Sequence, residues 1–159
     1  MLTALALLAC IGAGTIGGVF FAFSTFVMRA LLQLPASHGV AAMQRINVVV
    51  LNPLFLGVFV STVAFGAGCV IVSFLPWHSS RSLLLLAAAL LYIVGSFLVT
   101  MSFNVPMNNR LARLDPASSE AATYWPVYVR EWSKWNHVRT AASLASAACS
   151  AAALAHQAF

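Results

Sequence analysis

The chain reads as long uncharged stretches separated by shorter polar connections. Met1–Met28, Ile46–Trp77 and Ser82–Asn109 carry no charged residue, and Thr140–Phe159 is a fourth such stretch built largely of Ala and Ser. About 20 apolar residues are enough to cross a bilayer core roughly 30 Å thick. The pattern therefore predicts four transmembrane helices, about residues 2–32, 47–75, 82–104 and 136–157. The expected fold class is all-α: a four-transmembrane-helix bundle, up-and-down, in a single integral membrane domain over residues 1–159. Short loops make sequential helices antiparallel neighbours. A partly helical interfacial segment is expected between the third and fourth helices.

The connections refine this picture. Gln33–Arg45 places Pro35 and Ser37 ahead of a short helix that would run into the second span, and Leu75–Ser80 reads as a tight Pro76-Trp77 turn. The third connection, between Asn104 and Asn136, is too long for a plain loop. Within it, Asp115-Pro116 pairs an N-cap acceptor with a proline at the first helical position. Trp125, Tyr128, Trp132 and Trp135 then recur at spacings of three, four and three, which is one helical face. Such a face serves as an interfacial belt with rings at headgroup level, or as an aromatic lid over polar groups beneath it. One surface can do both. Gly14 and Gly18 stand in Gly-x-x-x-Gly spacing, and Gly57 with Ser61 offers a second small-residue face. Small residues let helix backbones approach closely in lipid, which suits a monomer or a small homo-oligomer.

With 62% hydrophobic and 7% charged residues, the composition excludes an ordinary soluble domain. The formal charge of +5 lies mostly in loops, so it sets orientation and gives no sign of a nucleic-acid partner. Arg29 and Arg45 flank the first loop; Arg110, Arg113, Arg130, Lys134 and Arg139 lie in or beside the third; the second has only Arg81. Basic residues favour the cytoplasmic side, which puts loops one and three in the cytoplasm and both termini outside. No Lys or Arg precedes the first stretch, which continues past Cys10 to Met28, so it is expected to be a retained helix rather than a cleaved signal. Cys10, Cys69 and Cys149 are isolated within apolar helices, with no Cys-x-x-Cys pair to suggest a redox relay or a zinc site.

Nearly all the strong polar side chains fall at the helix ends that share one membrane face. Asn47 and Asn52 open the second stretch, Asn104 and Asn108 close the third, and Asn136, His137 and Arg139 open the fourth. Residues four apart share a helix face, so Thr100, Asn104 and Asn108 line one side of helix three, which Pro106 should kink or end. Asn136, Arg139 or Thr140, and Ser143 make a similar stripe on helix four, with Ser24 and Thr25 at the same depth on helix one. Polar groups at membrane depth are costly and tend to mark function, although Asn also caps helix ends and Arg snorkels to headgroups.

The cluster holds amides, hydroxyls, an imidazole and a guanidinium but no carboxylate, since Asp115, Glu120 and Glu131 all lie in the third loop. That argues against a proton-coupled pump and against a non-haem iron centre. Haem held by two histidines would need His38 with His137, or His78 with His156, and nothing in the local sequence supports it. The remaining pattern suits proton abstraction, with His137 as base and Arg139 and the amides receiving the developing oxyanion.

At these residues the chain resembles a known group. Gly17-Gly18-Val19-Phe20-Phe21-Ala22-Phe23-Ser24, Asn47 to Asn52-Pro53, Asn104-x-Pro106-x-Asn108-x-x-Leu111 and Trp132-x-x-Trp135-Asn136-His137-x-Arg139-Thr140 run in order over about residues 12–145. Together they resemble the anthrone oxygenase-like family of small four-helix membrane proteins, in a short form similar to its bacterial branch. The resemblance implies oxidation of an anthrone-like, lipophilic aromatic substrate by O₂, with no conventional cofactor, haem or metal expected, in a bacterial inner membrane. On this reading His137 removes the benzylic proton and Arg139, Asn136 and Asn104 hold the enolate oxygen. Trp132 and Trp135 stack on the rings, and Asn47, Asn52, Asn108 and Ser24 complete the substrate site. Two other readings stand beside it. One is a non-enzymatic small-molecule binding or transport-related membrane protein using the same cluster; the other is a structural protein in which these groups cap and anchor helices.

Overall fold

Runs of Leu, Val, Ile, Phe and Ala without helix breakers leave the backbone one way to satisfy its polar groups in an apolar setting, which is to bond within the helix. The computed structural model describes residues 1–73 and 79–156, and among them it is all-helical, with no strand. Its helices are α1 (Leu2–Leu32), α2 (Ala36–Val49), α3 (Pro53–Ser73), α4 (Ser80–Ala112) and α5 (Ser119–Ala155). All but α2 are long and apolar enough to cross a membrane. Helix α1 packs on α3 and α5, and α4 packs on the same two, giving the expected up-and-down ring.

Three boundaries differ from those read off the sequence. The second span starts at Pro53 rather than residue 47, because α2 is a separate helix that stops at Val49. Asn52 then caps α3: the Phe55 N–H donates to its Oδ1 at 3.0 Å. Helix α4 runs on past Asn104 and through Pro106 to Ala112. Proline has no N–H to give, and a π-helical turn over Thr100–Asn104 has already loosened the ladder there. The largest difference is α5, which begins at Ser119 rather than 136 and contains Pro126. Ser118, not Asp115, is its cap, accepting from the Ala121 N–H at 3.1 Å. The proposed interfacial segment is thus the first half of the last helix. The expected Pro76-Trp77 turn and the ends of the spans at 75 and 157 lie outside the described residues.

At 1.5 Å per residue α5 is about 55 Å long, well beyond the roughly 30 Å of a bilayer core. Its first half projects past the bundle and packs with α2 and the ends of α1 and α4. Met28, Val40, Met43, Leu111, Trp125, Tyr128 and Trp132 form the apolar core of this headpiece. Gln44 of α2 ties it to α4, donating through Nε2 to the Leu111 carbonyl at 2.8 Å and the Leu114 carbonyl at 2.9 Å. Both carbonyls lie at the helix end, where the regular ladder stops; that of Leu111 also accepts from the Leu114 N–H at 3.2 Å. A second apolar cluster, of Ile16, Phe20, Phe59 and Tyr92, fills the middle of the bundle.

Close helix approach uses other glycines than the spacing suggested. An added Cβ at Gly95 would lie 2.5 Å from the Ala142 Cβ, and one at Gly39 would lie 2.8 Å from Trp125. Gly18 and Gly57 meet nothing within 4 Å, and Gly14 meets only Ala147 at 3.9 Å, so within the chain these do not form tight helix faces.

Candidate functional site

Between the headpiece core and the mid-bundle core lies a layer of polar side chains from α1, α4 and α5. Three π-helical turns fall at or beside this layer: Phe23–Val27 in α1, and Ile93–Leu98 and Thr100–Asn104 in α4. π-Turns recur at functional sites because they re-aim side chains and free carbonyls. Here they carry Ser24, Ser96, Thr100 and Asn104.

Arg139 is the centre. It is 6% exposed, and its guanidinium lies between two rings, 3.9 Å from the centroid of Phe20 and 4.8 Å from that of Trp132. Its Nε donates to Asn136 Oδ1 at 2.9 Å and its Nη1 to Thr100 Oγ1 at 3.2 Å. No carboxylate pairs with it among the described residues; Glu131 instead pairs with Arg130 at 2.8 Å on the surface. Buried guanidinium groups ordinarily have an anionic partner, because removing one from water costs several kcal/mol.

Asn136, fully buried, holds the layer together. Its Nδ2 donates to the Phe20 carbonyl at 2.8 Å and to Ser24 Oγ at 2.7 Å, and Ser24 in turn meets Thr140 Oγ1 at 3.0 Å. Asn104, also fully buried, donates to the Trp132 carbonyl at 3.2 Å, and its Oδ1 has no hydrogen-bond partner. One turn on, Asn108 Oδ1 accepts from the Tyr128 hydroxyl at 2.8 Å and from Trp132 Nε1 at 2.9 Å. Asn47 approaches the same tyrosine, its buried Nδ2 left without a hydrogen bond.

The structure thus brings together Ser24, Asn47, Asn104, Asn108, Trp132, Asn136 and Arg139. It does not bring in three others. His137 is exposed, since α5 turns by about 100° per residue and Asn136 already faces inward. Asn52 is exposed and acts as the cap of α3. Trp135 stacks on Phe103 at the outer surface, with centroids 3.5 Å apart. Thr100 and Thr140, placed on the polar stripes, and Tyr128, placed on the aromatic face, join the layer as contacts without having been given a role at the site. Trp125, Tyr128 and Trp132 are buried in the headpiece, their rings packed against protein. Among the described residues no three His, Cys, Asp or Glu side chains gather as metal ligands. His38, His137 and His156 are exposed, while His78 lies outside the described residues.

The model of the family described as anthrone oxygenase matches residues 51–149, which is 99 of the 159 positions. The chain belongs to the anthrone oxygenase family. No curated protein and no solved structure matches it. The family match contains Asn104, Asn108, Trp132, Asn136 and Arg139, and leaves Ser24 and Asn47 outside it. The part of the polar layer carried by α4 and α5 is therefore the part the anthrone oxygenase match spans.

Proposed function

We propose that this protein is a membrane oxygenase that binds an anthrone-like aromatic ketone and holds its anion on Arg139 while O₂ reacts. The observation that carries the reading is a guanidinium buried among aromatic rings with no carboxylate beside it. An arriving enolate supplies the missing negative charge, and the flanking rings suit a flat substrate. The donor set of amides, hydroxyls and guanidinium favours an oxyanion over a cation.

The reaction converts a benzylic CH₂ and O₂ into a carbonyl and water. Loss of one benzylic proton gives the enolate, whose oxygen rests on Arg139 Nη atoms. The enolate carbon bonds to O₂, the peroxide so formed takes up a proton, and loss of water leaves the quinone. No conventional cofactor is required, because the electrons come from the substrate. With His137 outside the layer, no base among the described residues stands beside the substrate, so the benzylic proton is lost to water before entry, and Arg139 lowers the cost of holding the arriving enolate. Donors fixed on a developing oxyanion are worth about 10²–10³ in rate.

The bilayer concentrates such a substrate, and the basic residues of the headpiece support a cytoplasmic side for that end. Arg139 leaves that count, being inside the bundle. The exposure of His137 favours one second reading, a binding protein for lipophilic anions with no catalytic base. Oxygen consumption by purified protein with anthrone, corrected for autoxidation, separates the two. Uptake that follows enzyme concentration supports the oxygenase, whereas anthraquinone binding without uptake supports the binder.

A further inference from the structure

The polar layer is sealed above and below. On the headpiece side Val40, Met43, Leu111, Trp125, Tyr128 and Trp132 are packed to 3% exposure or less, and on the other side Phe20, Phe59 and Tyr92 are packed to 5% or less. A lipophilic substrate therefore has to reach Arg139 from the side, between helices. The α1–α5 seam is closed at this depth by Asn136 donating to the Phe20 carbonyl and by the Ser24–Thr140 contact.

The α4–α5 seam is closed differently. Phe103 and Trp135 lie face to face across it, centroids 3.5 Å apart and planes 5° apart. Phe103 is 39% exposed and Trp135 partly exposed, yet each directly precedes a fully buried asparagine, Asn104 and Asn136. Behind the rings Asn104 donates to the Trp132 carbonyl and Arg139 to Thr100, both at 3.2 Å, while the shorter bonds across the seam lie to either side, at Asn108 towards the headpiece and between Ser143 and Ser96 towards the middle of the bundle. The α4 side of the seam is the π-turn Thr100–Asn104 followed by Pro106, where the regular backbone ladder is weakest.

The geometry points to the Phe103–Trp135 stack as the lateral access point of the site, through which a planar aromatic molecule passes from the bilayer to Arg139. Stacked rings part for a flat polycycle at low cost, because each ring exchanges one aromatic contact for another. They give no such exchange to an aliphatic lipid chain, so the pair also selects for planar substrates. Asn104 Oδ1, buried and unpartnered just inside, is the first acceptor the incoming molecule meets. This inference rests on the oxygenase reading for the identity of the substrate, and its test includes a readout without turnover.

The test places cysteines at Phe103 and Trp135 in a background with Cys10, Cys69 and Cys149 replaced by alanine, reconstituted in phosphatidylcholine vesicles. A short bifunctional methanethiosulfonate locks the pair and reductant releases it; a monofunctional reagent on the same variant is the control. The rate of anthraquinone binding, followed by quenching of the remaining tryptophans, should fall at least tenfold on locking, recover on reduction, and change less than twofold with the monofunctional reagent. An unchanged rate in the locked protein overturns the proposal. Anthrone turnover is measured alongside: its absence in wild-type protein counts against the oxygenase reading, while the binding rate still decides the access point.

Discussion

Replacing Asn136 with alanine tests which way α5 faces and how much the polar layer contributes to the bundle. Asn136 makes two neutral hydrogen bonds, to the Phe20 carbonyl and Ser24 Oγ, and accepts one from Arg139 Nε. Neutral side-chain bonds inside membrane bundles average about 0.6 kcal/mol each. A bond to a charged group is worth about 1.5–3 kcal/mol, and its loss here leaves a buried guanidinium short of an acceptor. Together these give a loss of about 3–4 kcal/mol. His137→Ala, one position away but exposed, should change stability by no more than about 0.5 kcal/mol and should leave anthrone turnover intact. The assay is reversible unfolding in mixed micelles, titrating a denaturing into a mild detergent and following tryptophan fluorescence. If Asn136→Ala cost under about 1 kcal/mol, or if His137→Ala cost as much as Asn136→Ala, the facing of α5 and the hydrogen bonding assigned to it would be wrong.

Other outcomes follow from the packing. Gly39→Ala should destabilise the protein by about 1–3 kcal/mol, because the new methyl meets Trp125 and the Leu31 carbonyl within 2.9 Å. Gly18→Ala, which meets nothing, should be neutral or stabilising by up to about 1 kcal/mol; equal effects in the same micelle titration would contradict the contacts described. Asn52→Ala removes the cap of α3 and should lower stability by about 1 kcal/mol while leaving the anthraquinone dissociation constant unchanged. A large loss of affinity would return Asn52 to the site.

Much of the fold was legible because lipid-sized apolar stretches admit so few structures. The three strongest spans have mean hydropathies of 2.1, 2.3 and 2.5, and their helices appear where the apolar runs lie. Helix α5 reaches only 1.3. Its first half carries Arg130, Glu131 and Lys134 on the outside and aromatic rings on the inside, so a hydropathy criterion starts it too late. Tertiary packing against α2, not apolar length, orders that half. The polar layer was also legible as a level in the chain, since Asn104, Asn108, Asn136 and Arg139 all contribute to it. Helical phase decided the rest. A stripe running through Asn136, Arg139, Thr140 and Ser143 leaves His137 to one side, and its attractive chemistry outweighed its phase in the sequence reading. The π-turns left no signature in residue type, yet they set how Ser24, Thr100 and Asn104 meet α5. Nor does composition reveal that Asn52 spends both polar atoms on its own chain, through Phe55 N–H and the Val49 carbonyl.

The most direct measurement is anthrone-dependent oxygen uptake by wild-type protein, Arg139→Lys and Arg139→Gln, each shown to be folded and each corrected for autoxidation. If Arg139 holds the enolate, Arg139→Gln should lose about 10²–10³ in kcat/KM. Arg139→Lys should keep part of the activity, because it retains the charge but not the planar fork. Folded Arg139→Gln protein that turns over anthrone like the wild type would contradict the account.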